Sequence, residues 1–435
     1  MGRSWHTKGR TDRVGEATDG HDPRLRDSSP LAGPSVSLVP VRATGPVLTR
    51  PLGASSGDSA RLRGIDVARA LAVLGMLAVH VGPTNGSALA TRLYALPHGR
   101  ASVLFVVLAG VGVALLARSR RTSGAVARRR LAWRAALLLP AGLALQLLDH
   151  GAFVILAEYA VLFALAILLL DASDRQLLGA AGAVAALGPV AYFLGQSVAP
   201  ATFERSGPVL ADGPAAIAHA LLATGAFPLL VWAAPFIFGM WLGRRAIGDR
   251  AVQRRLLLGG LAVGIGAWMV SVILVGLMGE PTGWGDPRML LARGAHSQMP
   301  LWLWSSTGLA VAVLGGCLLA ARAIDRVASP LVATGQFALT IYVGHLVALH
   351  LAPTLLTSDE VSGALALLGG FAAVAGTVAV LWRSVWRYGP LESLLHLPWL
   401  ITPRAEPAPP NEPTTAEVRG NPHANPPRDA RRVLR

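Results

Sequence analysis

Ten apolar runs of about twenty residues follow one another through the middle of this chain, near residues 65–82, 101–117, 131–148, 153–170, 177–198, 217–243, 256–278, 301–321, 331–352 and 362–382. About twenty apolar residues coiled as helix cross the hydrocarbon core of a bilayer. Inside that core a helix satisfies its own backbone hydrogen bonds. The pattern predicts an all-α, polytopic integral membrane bundle of about ten transmembrane helices, multi-pass in the cell membrane, with the lipid bilayer as its first partner. The least distinct pair of runs is 131–148 and 153–170, joined only by Asp149-His150-Gly151-Ala152.

Composition excludes an ordinary soluble enzyme, because 14% of the residues are charged where a soluble domain carries roughly 25%. The charges are also segregated. Residues 1–60 and 396–435 are rich in Pro, Gly, Ser and Arg and lack hydrophobic periodicity, so they are expected to be disordered tails flanking a membrane domain at 61–395. About sixty polar residues precede the first apolar run, whereas a signal peptide spans roughly 15–30. The first helix is therefore expected to be an uncleaved anchor.

A net charge of +15 in a soluble protein would point to nucleic acid. Here the arginines lie in the tails and in alternate loops, so no nucleic-acid partner is expected. Short loops containing Arg118, Arg120, Arg121, Arg128, Arg129, Arg130 and Arg134, then Arg244, Arg245, Arg250, Arg254 and Arg255, then Arg322 and Arg326 are predicted to face the cytoplasm by the positive-inside rule. Both termini then lie on that side. The single cysteine, Cys317, falls in an apolar run and reads as a small buried hydrophobe.

Ionisable groups inside a span cost about 2.5–3.5 kcal/mol on the insertion scale and usually face a bundle interior or a watery cavity. The first run contains three: Asp66, Arg69 and His80. At 100° per residue Arg69 and His80 fall within about 20° of each other, Asp66 within about 60° of Arg69, and His80 lies about 16 Å further along the axis. One helix face thus joins an acid and a base near one membrane surface to a histidine near the other. The simpler reading makes Asp66 and Arg69 an interfacial i,i+3 pair and lets His80 reach the headgroups.

Beyond the next loop, His98, Arg100 and Ser102 stand at the mouth of the second run. An imidazole there is able to take a proton from a hydroxyl or amine, and Arg100 to hold an anionic group. Gln146, Asp149 and His150, then Glu158 and Tyr159, then Gln336, Tyr342, His345 and His350 supply further polar groups in apolar surroundings. Each of these has interhelical hydrogen bonding as its simpler role. No metal is expected.

The stretch Arg63-Gly64-Ile65-Asp66-Val67-Ala68-Arg69-Ala70-Leu71-Ala72-Val73 followed by His80 resembles the first helix of the membrane acyltransferase superfamily, which includes the acyltransferase-3 proteins and heparan-α-glucosaminide N-acetyltransferase. The likeness is closest to bacterial proteins that join a glucosaminide acetyltransferase-like catalytic domain to a C-terminal domain of unknown function numbered 418, and it covers about 61–395. His98-Gly99-Arg100-Ala101-Ser102, Phe227-Pro228-Leu229, Phe238-Gly239-Met240-Trp241, Gly335-Gln336-Phe337 with Tyr342 and His345, and Gly389-Pro390-Leu391-Glu392 follow in matching order.

In the acyltransferase-3 branch an arginine eleven residues before a histidine is a functional signature, matched by Arg69 and His80. In the glucosaminide branch a histidine of the following loop serves catalysis, matched by His98. This chain carries both histidines. The resemblance implies acyl-CoA, such as acetyl-CoA, as cytoplasmic co-substrate and a glycan or other envelope compound as acceptor. Arg118, Arg120 and Arg121 are candidates for the CoA phosphates, and Arg100, Ser102, Glu158, Tyr342 and His345 for substrate contacts. A transporter, or a membrane assembly protein without catalysis, would use the same polar residues differently.

Overall fold

The computed structural model describes residues 56–119, 122–203, 207–321 and 329–397. Among them every regular element is helical. The chain runs through α1 (Ser56–Val81), α2 (Leu89–Tyr94), α3 (Arg100–Ala117), α4 (Gly124–Leu145), α5 (Leu156–Leu169), α6 (Asp174–Val198), α7 (Pro214–His219) and α8 (Leu229–Gly243). It continues through α9 (Arg250–Met278), α10 (Pro300–Ala320), α11 (Ser329–Gln336), α12 (Ala338–Leu351), α13 (Pro353–Leu356), α14 (Val361–Val385) and α15 (Pro390–Leu394). The sequences assigned to the two tails lie largely outside the described residues.

Among the described residues six helices are long and apolar enough to cross a membrane: α1 over Arg63–Val81, α3, α6, α9, α10 and α14. Two bent pairs raise the number to eight if each is one span. Pro214–Thr224 meets α8 at 62°, and α11 meets α12 at 78°. The other two apolar runs fall on α4 and α5. The first half of α4 carries Arg128, Arg129, Arg130 and Arg134, and α5 has 14 residues, about 21 Å of helix against a core of about 30 Å.

With lipid outside, helices gain little from the hydrophobic effect and associate by close packing of small residues. The α9–α10 pair shows this. A Cβ added at Gly260 would lie 2.5 Å from the Ala312 nitrogen, and one added at Gly308 would lie 2.5 Å from that of Gly264. On α3 and α8, Gly110 and Gly239 bring each backbone onto the other in the same way. Trp232, Phe236, Leu108 and Leu131 are fully buried behind these contacts.

The break between α11 and α12 is set by tertiary contacts. Gly335 presses on α1 so closely that a Cβ would stand 1.8 Å from the Asp66 carbonyl oxygen, and the Gln336 side-chain amide donates to the Asp66 carboxylate at 2.8 Å. A helix start leaves its first N–H groups without intrahelical acceptors. At α12, Glu392 of α15 accepts from the Leu339 and Thr340 nitrogens at 2.8 and 3.1 Å and from the Thr340 hydroxyl at 2.6 Å. The Gly389-Pro390-Leu391-Glu392 motif is thus a helix cap supplied from about fifty residues away.

Candidate functional site

Two cavities lie toward opposite ends of α1, and Tyr342 is the residue that lines both. The first, of about 730 Å³, is lined by Arg69, Arg134, Arg383 and Arg387 together with apolar side chains of α3 and α5. The second, of about 330 Å³, is lined by His80, His98, Ser102 and His296. The first marks the arginine end of the bundle and the second its histidine end.

At the arginine end, Arg69 donates to Asp66 at 2.7 Å. Asp66 is 7% exposed, and with Gln336 on its other oxygen each carboxylate oxygen has one donor. A buried carboxylate left unpaired would cost more than these bonds contribute, which explains why the i,i+3 pair also ties α1 to α11. The buried Nε of Arg134 has no hydrogen-bond partner, while Arg383 and Arg387 are exposed at the rim. Among the described residues the one carboxylate in the lining, Glu392, is spent on the α12 cap. The cavity is therefore electropositive and suits a phosphate-bearing group.

At the histidine end, His80 Nδ1 and His345 Nε2 are 3.0 Å apart, with ring planes 9° from parallel. The protonation pattern follows from the partners. His345 Nδ1 faces the Ile341 carbonyl oxygen at 3.3 Å, which only accepts, so Nδ1 bears the proton and Nε2 accepts. His80 must then donate from Nδ1, leaving its Nε2 bare. A relay of carbonyl, imidazole and imidazole thus presents one free lone pair on a residue that lines the cavity, the arrangement of a base oriented by a second group.

Opposite them, the His98 and His296 rings are 5.7 Å apart. His296 has φ +53°, the left-handed region that a non-glycine residue occupies at a cost, and Gln298 has φ +65°. Gln298 holds the segment in place: it accepts from the Trp232 indole at 2.8 Å and donates to the Ala226 carbonyl at 2.9 Å. The His296 ring packs among Trp232, Trp302 and Phe227 at 5.3 to 5.9 Å. Gly99, at φ +71°, would bring a Cβ within 3.3 Å of the His296 nitrogen, which accounts for the glycine after His98.

The remaining candidates divide. Ser102 is buried in the histidine-end lining. Tyr342 accepts from the Ile155 nitrogen at 3.2 Å and so fixes the wall between the cavities. Glu158 is buried with one carboxylate oxygen unpartnered and lines neither cavity. Arg100 donates to the Leu96 carbonyl at 2.9 Å and also stays out of the lining.

Arg118 donates to the Arg244 carbonyl and does not line the arginine-end cavity, and Arg120 and Arg121 lie outside the described residues. Gln146 and His150 clamp the loop before α5 through the Ala152, Val154 and Leu145 backbones. Burial pushes the His150 imidazole down, in keeping with a neutral ring that accepts at Nδ1. His296, Arg383 and Arg387 were not singled out by sequence, and Arg134 was assigned only to topology. His296 meets the criterion that selected His98, a histidine a few residues ahead of an apolar run. Among the described residues no group of three or more His, Cys, Asp or Glu side chains is placed to hold a metal ion.

Comparison with models of known protein families and with curated protein sequences finds no match.

Proposed function

We propose that the protein is a membrane acyltransferase that takes an acyl group, such as acetyl, from acyl-CoA at the arginine end and passes it to a sugar or other envelope acceptor at the histidine end. The observation that carries this reading is the pair of cavities meeting at Tyr342, one cationic and one lined by imidazoles with a free His80 Nε2. The resemblance of the first helix points the same way. In this reading the arginine end faces the cytoplasm, all ten apolar runs cross or enter the membrane, and both termini are cytoplasmic. Reporters placed after Arg435 and between Arg128 and Arg129 are then both cytoplasmic.

Arg134, Arg383 and Arg387 grip the phosphates of CoA, and the thioester reaches toward Tyr342. The acceptor hydroxyl or amine attacks the thioester carbonyl carbon while His80 Nε2 removes its proton. The tetrahedral intermediate collapses with cleavage of the carbon–sulfur bond, and the thiolate leaves with the proton that His80 returns. The test is purified protein in nanodiscs with labelled acetyl-CoA. Saturable binding and release of free CoA thiol, with thiol release lost in His80→Ala while binding persists, is the expected result. Failure of the wild type to bind acyl-CoA overturns the proposal.

One observation favours a second reading. Pro214–Thr224 with α8 and α11 with α12 are two broken helices, and paired discontinuous helices are a transporter feature. Solute flux into proteoliposomes without thioester cleavage would support that alternative.

A further inference from the structure

A third cavity, of about 700 Å³, shares no lining residue with the other two. It opens sideways between α6, α8, α9 and α10, with Leu178, Val263 and Trp304 exposed in its lining. Every outward face of a membrane bundle meets lipid, but this one is concave, and small residues hollow it. A Cβ added at Gly182 of α6 or Gly259 of α9 would meet nothing within 4 Å. Along α9 the lining extends from Val252 to Val263, about 16 Å at 1.5 Å per residue. That is the depth of one leaflet of a core about 30 Å thick.

The groove is cationic at one end only. Arg245 and Arg255 line it there, and among the described residues no carboxylate lines it. The Arg245 guanidinium lies 4.9 Å over the Trp241 ring and pairs with Asp174, which also accepts from Arg244. One carboxylate thus answers two arginines before Arg255, which is exposed, is counted. An apolar trough one leaflet deep, with surplus guanidinium charge at the interfacial end, matches a lipid tail joined to a phosphate.

We infer that this groove seats one acyl chain of an anionic phospholipid from the leaflet at the arginine end, with its phosphate between Arg245 and Arg255. The inference stands whether or not the protein transfers acyl groups.

Native mass spectrometry of the full chain, purified in detergent and supplied with dioleoyl phosphatidylglycerol or dioleoyl phosphatidylcholine, tests it. The wild type is expected to retain one phosphatidylglycerol at a collision energy that strips phosphatidylcholine. Arg255→Gln, a change at an exposed side chain, should lower phosphatidylglycerol retention to the phosphatidylcholine level. Gly182→Leu combined with Gly259→Leu fills the trough and should abolish retention of both lipids at an unaltered melting temperature. Equal retention of the two lipids by the wild type overturns the inference. So does undiminished phosphatidylglycerol retention in the filled variant, or a lipid-free dimer that the filled variant converts to monomer, which would make a second copy the occupant.

Discussion

The two ends of the bundle solve different problems with the same expensive material, polar side chains inside a membrane protein. At the arginine end, charge is left in surplus among the described residues: four arginines line the larger cavity and the one carboxylate there caps α12. At the histidine end the described lining carries no carboxylate, and His80 and His345 are paired so that the lone pair of His80 Nε2 remains. Surplus charge suits gripping an anion, while a satisfied neutral relay suits moving a proton. The contrast predicts that damage at one end weakens binding and damage at the other weakens turnover.

The largest expected effect is at the histidine end. His80→Ala should lower acyl transfer by about 10²-fold or more, the scale of a general base, with acyl-CoA affinity unchanged in equilibrium binding. If affinity falls and turnover of bound donor does not, the division between the ends collapses.

Next, Arg134→Ala and Arg383→Ala should each raise KM for acyl-CoA about tenfold with kcat held. A charge-assisted hydrogen bond is worth about 1.5–3 kcal/mol. Arg118→Ala should leave KM where it was, because that side chain is spent on the Arg244 carbonyl. A reversed order among these variants would move the donor site to the α3–α4 loop.

Smaller again, Tyr342→Phe leaves the ring between the cavities and removes only the acceptor of the Ile155 N–H. Stability should fall by about 1 kcal/mol, read as a modest drop in melting temperature, with KM and kcat both near wild type. A large kcat loss would give the hydroxyl a part in chemistry and blur the boundary between the ends.

The smallest effect sharpens a pH experiment. Asp286, in the loop that leads to His296, is held well below the usual carboxylate range, first by the Arg288 side chain and then by the Thr282 and Arg288 nitrogens. A carboxyl depressed in the folded state contributes stability above its unfolded value of about 3.9. That contribution is lost only as pH falls through the lower folded value. Between pH 7 and 5 this loop should keep its amide-exchange protection, so an acid limb in the rate over that interval belongs to the imidazoles. Loss of protection at pH 5 would assign the limb to the loop instead.

Much of this was legible because helix geometry is regular. The shared face of Asp66, Arg69 and His80 follows from 100° per residue, and the glycine after His98 signals a turn. What a local pattern cannot contain is the partner: His345 reaches His80 across 265 residues. The same holds for the bend at Phe337. Residues 331–352 read as one continuous apolar run, because the break depends on Asp66 and Glu392, far away in the chain. Arg383 and Arg387 follow the last apolar run as ordinary polar residues in sequence, and only the fold places them in one cavity with Arg134. The arginine clusters marked one side of the membrane in sequence, but which of them meet a cavity is a tertiary fact.

The cap that Glu392 places on α12 also orders events during synthesis. The chain is made from its N-terminus onward, so α11 and α12 are synthesised before the carboxylate that completes their junction. The wall around Tyr342 is finished by one of the last described segments. A chain truncated before residue 390 would keep all its long helices, α1 to α14, and lack the carboxylate that caps α12, so it would leave the site unfinished.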